Sequence, residues 1–244
     1  MARREEIIVR IRKALQLPLN GSSLNETSLP PPLTGILSAI PPEELLPRFE
    51  EELKKVAGVA HRAADRQALE EILQSVLAHA KATRVVVSRN PLLSALNIES
   101  LLRAWGMSAT VWQASGSEDS PEAGNAARAF AQASFASTVG ITGVEFVLAE
   151  TGSLVVTSST EGSQLTSLAP PVHVALYRRS QLVASLDEVL QRLEKIGAQD
   201  RALPGRSVVF ITGTSRTADI EQILIRGVHG PGELHAILVE EACF

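Results

Sequence analysis

The chain has 244 residues, 45% hydrophobic and 20% charged, which is enough apolar material for a packed core and excludes a largely disordered polymer. Twenty-three Lys and Arg stand against 27 Asp and Glu, and six Phe, two Trp and one Tyr are the only aromatics. A net charge of −4 with so few stacking rings excludes nucleic acid as the main partner, because phosphate binding needs a concentrated basic face.

Taken in chain order, Ile7, Ile8, Ile11 and Leu15 recur at helical spacing and predict an amphipathic first helix. Pro18 to Pro47 holds seven of the thirteen prolines and reads as an extended linker. The expected organisation is therefore an arm over 1–42 and one α/β domain over 43–244. Residues from Glu43 to about Ala80 look helical, with a break at Gly58 and one face of Leu69, Ile72, Leu73, Val76 and Leu77.

After Ala80 the period changes. Short apolar runs at 84–88, 109–112, 137–142, 153–157, 172–176, 208–211 and 235–239 read as strands. Helix-like segments at 92–105, 122–133, 186–196 and 218–225 lie among them. Strands alternating with crossovers predict a three-layer αβα domain with a mostly parallel sheet. Ligands in such sheets collect outside the carboxyl ends of the strands.

The longest uncharged stretches, 27–42, 129–144 and 162–177, are too short or too proline-broken to span a bilayer. The N-terminus lacks the apolar run of a secretory signal, so the expectation is a soluble cytoplasmic protein with no membrane partner. Cys243 is the only cysteine, which rules out a disulfide within the chain and supplies one thiolate where an iron–sulfur cluster usually takes four. It reads as a small terminal side chain or as a reactive thiol. The five histidines show no H-x-x-x-H spacing, so no metal site is expected.

Three stretches carry candidate chemistry. In Glu150-Thr-Gly-Ser153, Thr151, Gly152 and Ser153 offer backbone N–H groups to an anion. Glu150 fits either a surface carboxylate or a nucleophile or base. The run Thr214-Ser215-Arg216-Thr217 is expected to lead from a strand into a helix, with Thr217 as its cap, Asp219 complementing the dipole and Arg216 as a fork-shaped charge for phosphate or carboxylate. Neither phosphate-loop fingerprint is present. The turn Gly227-Val-His229-Gly-Pro231 presents an imidazole that either transfers protons or bonds the backbone. His173 reads as packed within the sheet.

Together, Glu150-Thr-Gly-Ser-Leu, Ser167-Leu-Ala-Pro-Pro-Val-His173, Ser215-Arg-Thr-Ala-Asp-Ile-Glu221 and Gly227-Val-His-Gly-Pro231 resemble, in this order, the LUD domain of the lactate utilization protein C family. The likeness covers about 84–239. It implies a fold similar to the superfamily of ribose-phosphate isomerase, glucosamine-phosphate isomerase and coenzyme A transferase. It also implies a part in oxidising L-lactate to pyruvate with two iron–sulfur partner proteins. Gln164 replaces a basic residue of the family pattern, Ala169 a Leu and Ser153 a Thr, and the first removes a charge from that stretch.

The expected function is a subunit with no cofactor of its own in an L-lactate-oxidising system, binding a small carboxylate or phosphate. Glu150 and His229 are its candidate catalytic groups. Two alternatives stand beside it: an independent acyl-CoA or sugar-phosphate enzyme using Glu150, and a non-catalytic sensor or assembly module whose arm docks a partner or a second copy.

Overall fold

The computed structural model describes residues 40–113, 121–199, 207–218 and 224–244. The predicted first helix and most of the Pro-rich segment lie outside them. Helix α1 (Leu45–Lys55) carries Pro47 in its first turn, where a missing N–H costs nothing, so the proline run ends inside a helix. Its buried residues Leu46, Phe49 and Leu53 share one face, and Phe49 meets Tyr177 edge-on at 5.6 Å.

The expectation of helix from 43 to 80 broken only at Gly58 is corrected by β1 (Val59–Ala63). Val-Ala-His-Arg-Ala has no strand alternation. Its conformation comes from parallel pairing with a strand 176 residues away, Val59 opposite His235 and Ala63 opposite Val239. Helix α2 (Arg66–His79) then starts at Asp65, whose side chain accepts the Ala68 N–H at 2.8 Å.

The predicted strands mostly form: β2 (Arg84–Val87), β3 (Ser108–Val111), β4 (Val139–Thr142), β6 (Ser153–Thr157), β7 (Val172–Tyr177), β9 (Val208–Ile211) and β12 (Glu233–Val239). The helix expected over 92–105 is two, α3 (Pro91–Ala95) and α4 (Ile98–Ala104), separated where Asn97 turns left-handed at φ 51°. Helix α5 (Pro121–Ala136) links β3 to β4, and the one-turn helices α6 (Ser158–Glu161) and α7 (Leu165–Leu168) link β6 to β7. Four further short strands went unpredicted: β5 (Phe146–Leu148), β8 (Leu182–Val183) and the hairpin strands β10 (Arg216–Ala218) and β11 (Leu224–Arg226). That hairpin replaces the helix expected over 218–225, and residues 219–223 lie outside the described set. The apolar spacing of that stretch fits both structures, and pairing of Thr217 with Ile225 decides for the hairpin.

Six strands form an all-parallel central sheet in the order β1-β12-β7-β4-β2-β3. A smaller mixed sheet, β8-β5-β6-β9, joins antiparallel and parallel pairs. One face of the central sheet packs Val85, Val87, Ile141, Val174 and Ile237 against Leu69, Leu73 and Leu77 of α2 and Ile98 and Leu102 of α4. The other packs Ala175, Tyr177, Ala236 and Leu238 against α1 and the inner side of the small sheet. Helix α8 (Leu186–Gln199) covers that sheet's outer side through Val189 on Phe146 and Val155. Near-continuous apolar strands buried on both faces are the expected consequence of parallel pairing. Each fully buried leucine contributes about 2 kcal/mol. Among the described residues no helix is long and apolar enough to cross a membrane.

Candidate functional site

The chain runs from edge strand β1 to β2, outward to β3, then returns on the other side of β2 with β4, β7 and β12. The reversal makes a topological switch point between β2 and β4, where diverging loops leave room outside the carboxyl ends. Ser88, Arg89 and Asn90 leave β2 there, Thr142 ends β4 and Gly143 follows it.

Glu161, last residue of the short helix α6 (Ser158–Glu161), enters this point from β6 and is only 2% exposed. Its Oε2 accepts the Ser88 hydroxyl at 2.5 Å and the Gly143 N–H at 2.9 Å. Its Oε1 accepts from Asn90 Nδ2 and, at 3.2 Å, from the Thr160 hydroxyl. Burial pushes the carboxyl above the usual carboxylate range, and hydrogen bonds from Ser88, Asn90, Gly143 and Thr160 act against that rise. Gly143 must be glycine for this geometry, since a Cβ there would lie 2.2 Å from the Asn90 carboxamide. Asn90 also caps α3 by accepting the Leu92 N–H at 2.8 Å. Exposed Arg89 donates to the Ser159 carbonyl at 2.9 Å, and Trp112, following β3, lies over Gly162 and meets Phe130 edge-on at 5.0 Å.

A cavity of about 200 Å³ adjoins this cluster, bounded by the ends of β2 and β3 and by α3 and α4. Ser88 belongs to both, touching Glu161 and lining the cavity.

One strand over, His173 of β7 is fully buried and shares a 2.8 Å hydrogen bond between Nε2 and Thr142 Oγ1. Burial, with a smaller contribution from His235, pulls its pKa down to about 3 and keeps the ring neutral. The reading of His173 as packed in the sheet agrees with this position. His61 Nε2 and His235 Nδ1 lie 3.0 Å apart, yet no group of three or more metal-binding side chains occurs among the described residues.

The residues singled out from sequence gather at the opposite, amino end of the sheet. Gly152, at φ 65°, packs on the last turns of α1, where a Cβ would lie 2.3 Å from the Leu53 amide nitrogen. Ser153 bonds Thr151 at 2.7 Å and Thr212 at 2.6 Å. The Glu150 carboxylate accepts the Leu186 N–H at 2.8 Å and so caps the start of α8. Buried Thr214 donates its N–H to Val56, Ser215 donates to Pro231 at 2.8 Å, and Gly227 donates to Ser215 at 3.0 Å. The loop and the Gly227–Gly232 turn thus meet. Their N–H groups at Thr214 and Ser215 are engaged, however, and no helix dipole stands behind them. Thr217 is a strand residue rather than a helix cap, because the chain after Thr214 is held by β10–β11 pairing. Arg216 and His229 are exposed, and Asp219 lies outside the described residues. Cys243 is buried and donates to the Ala63 carbonyl at 3.4 Å, with burial raising its pKa, so it is a packed side chain rather than a reactive thiol.

Sequence reasoning missed Ser88, Asn90 and Glu161. The first two had a usable signal, since Ser88 ends a predicted strand and Asn90 lies two residues beyond it. Glu161 sits in a Ser, Thr and Gly stretch with no such marker, and only the strand order brings it to the switch point.

The family described as LUD domain matches residues 46–239. Lactate utilization protein C of Halalkalibacterium halodurans is 29% identical over 200 residues, covering 82% of this chain and 80% of that protein. Lactate utilization protein C of Bacillus subtilis is 28% identical over 179 residues, covering 72% and 71%. The crystal structure of a DUF162 family protein from Deinococcus radiodurans superposes with a TM-score of 0.56 at 19% identity, covering 83% of this chain and all of that one, a likeness of fold.

Proposed function

Since the chain belongs to the LUD domain family, matched over 46–239, we propose that it serves lactate utilization as a subunit with no redox group of its own, acting beside iron–sulfur partner proteins. Oxidising L-lactate to pyruvate removes two electrons and two protons, and the electrons need an acceptor. A chain with one cysteine, buried at that, brings too few thiolates for a cluster, which supports a division of labour.

The observation that carries anion binding is the exposed Arg216 after the Ser215 turn, which backbone hydrogen bonds tie to the Gly227–Gly232 turn bearing exposed His229. A guanidinium presents a fork of N–H donors that fits a carboxylate or phosphate. Exposed Arg216, with His229 in the adjoining turn, is the receptor we assign to a small carboxylate or to an acidic surface of a partner. The kinship with the isomerase and coenzyme A transferase superfamily belongs to this same reading. The Glu150-nucleophile alternative is disfavoured by the bond from Leu186 to its carboxylate, which ties it to a helix start.

The test combines the purified chain with the iron–sulfur proteins and follows pyruvate formation. Turnover requiring the full set, reduced about tenfold by Arg216→Glu, is the expected result. Full-rate oxidation by the isolated chain overturns the division of labour, and an unaffected Arg216→Glu variant overturns the receptor.

A further inference from the structure

The cavity beside the switch point is not used by the lactate reading, and its chemistry differs from that of the Arg216 receptor. Its polar wall consists of Ser88, Ser94, Asn97, Glu99 and Ser100, and its lining includes no Lys or Arg. The Ser88 hydroxyl spends its proton on Glu161, which leaves lone pairs free to accept. Ser94 is similarly placed, its hydroxyl directed at the Asn90 carbonyl at 3.4 Å. Ser88 and Ser94 thus offer acceptors, while the Asn97 carboxamide and the Ser100 hydroxyl can donate or accept, a mixture that suits hydroxyl groups.

Charge narrows the class further. With two carboxyls near and no cation lining the space, an anion pays for desolvation without compensation. A cation gains little either, because Glu99 is bridged to Arg103 at 2.7 Å and Glu161 already accepts four hydrogen bonds. About 200 Å³ also falls below the range of roughly 300–1,000 Å³ usual for drug-sized ligands. We propose that this cavity binds a small, uncharged, polyhydroxylated molecule through Ser88, Ser94, Asn97 and Ser100, with Glu161 as the positioning residue that fixes the Ser88 hydroxyl. The site lies at the carboxyl end of the sheet, away from Arg216, so its failure leaves the lactate reading untouched.

The experiment titrates the full chain with erythritol, with L-lactate and ethanolamine as charged comparators, and follows backbone amide shifts and ligand-observed saturation transfer. Expected are shifts at Ser88, Asn97 and Ser100 with erythritol and none there with either comparator. Ser88→Ala should weaken erythritol about fivefold, as loss of one hydrogen bond requires. Ser94→Leu, which fills the cavity, should abolish binding, and Glu161→Gln should weaken it less than Ser88→Ala. Absence of those shifts in the unmodified chain overturns the proposal without recourse to any variant. So does equal binding of lactate or ethanolamine, or erythritol binding that survives Ser94→Leu in a folded variant.

Discussion

The two ends of the central sheet solve the same problem in opposite ways. At the carboxyl end three loops converge on a buried carboxyl, Glu161, whose two oxygens draw the ends of β2 and β4 together. At the amino end the loops converge on backbone, with Gly152 against Leu53, Thr214 on Val56 and Ser215 on Pro231. The first arrangement concentrates polar chemistry in a dry place. The second spends its glycines and hydroxyls on fitting turns together and leaves its charges, Arg216 among them, at the surface. Motif density in the sequence thus marks close packing at one end, while strand order creates the polar cluster at the other.

Four measurements break or sharpen that contrast. The largest effect concerns acid. Unfolded His173 takes up a proton near pH 6.5, and the folded ring resists until about pH 3. Its contribution is intact above the unfolded value and is lost as pH falls through that window, by up to roughly 5 kcal/mol. Urea melts from pH 7 to 4 should show this slope, and His173→Asn should flatten it. Glu161 runs the other way: its raised pKa makes stability fall as pH rises above the ordinary carboxylate range, and Glu161→Gln should remove that fall.

Next in size, Glu161→Ala leaves buried donors from Ser88, Asn90 and Gly143 unpaired and should cost about 3 kcal/mol in equilibrium unfolding. Glu150→Ala loses only a partly exposed cap and should cost about 1 kcal/mol. Equal costs would erase the distinction between the two carboxylates. Gly152→Ala combines a left-handed backbone with a clash on the α1 backbone and should cost about 2 kcal/mol by thermal melting. Smallest, Arg216→Ser should change stability by less than about 0.5 kcal/mol while weakening anion or partner binding in a titration.

Much of the fold was legible because buried parallel strands announce themselves as unbroken apolar runs, as at Val85–Val87 and Val174–Tyr177. β1 was not, since His61 and Arg62 interrupt its pattern and its identity depends on β12. The hairpin at Arg216 was misread for a related reason: its apolar spacing suits a helix turn as well as a strand. At the candidate sites, the loops that sequence singled out lie at the amino end of the central sheet rather than outside the carboxyl ends of its strands, because 150–152 and 227–232 lead into strands instead of leaving them. Sequence placed the carboxylate of interest at Glu150 because a Gly turn follows it, whereas Glu161 acquires its setting only when α6 is carried to the far side of β2.

The pairing of Val59–Ala63 with His235–Val239 also bears on how the molecule is made. Val59 leaves the ribosome 176 residues ahead of His235, its partner, so the edge strand waits unpaired while the rest of the central sheet is made. A break in β12 would strand β1 and β7 at once, exposing an unmatched row of peptide groups on each and inviting association with other nascent chains.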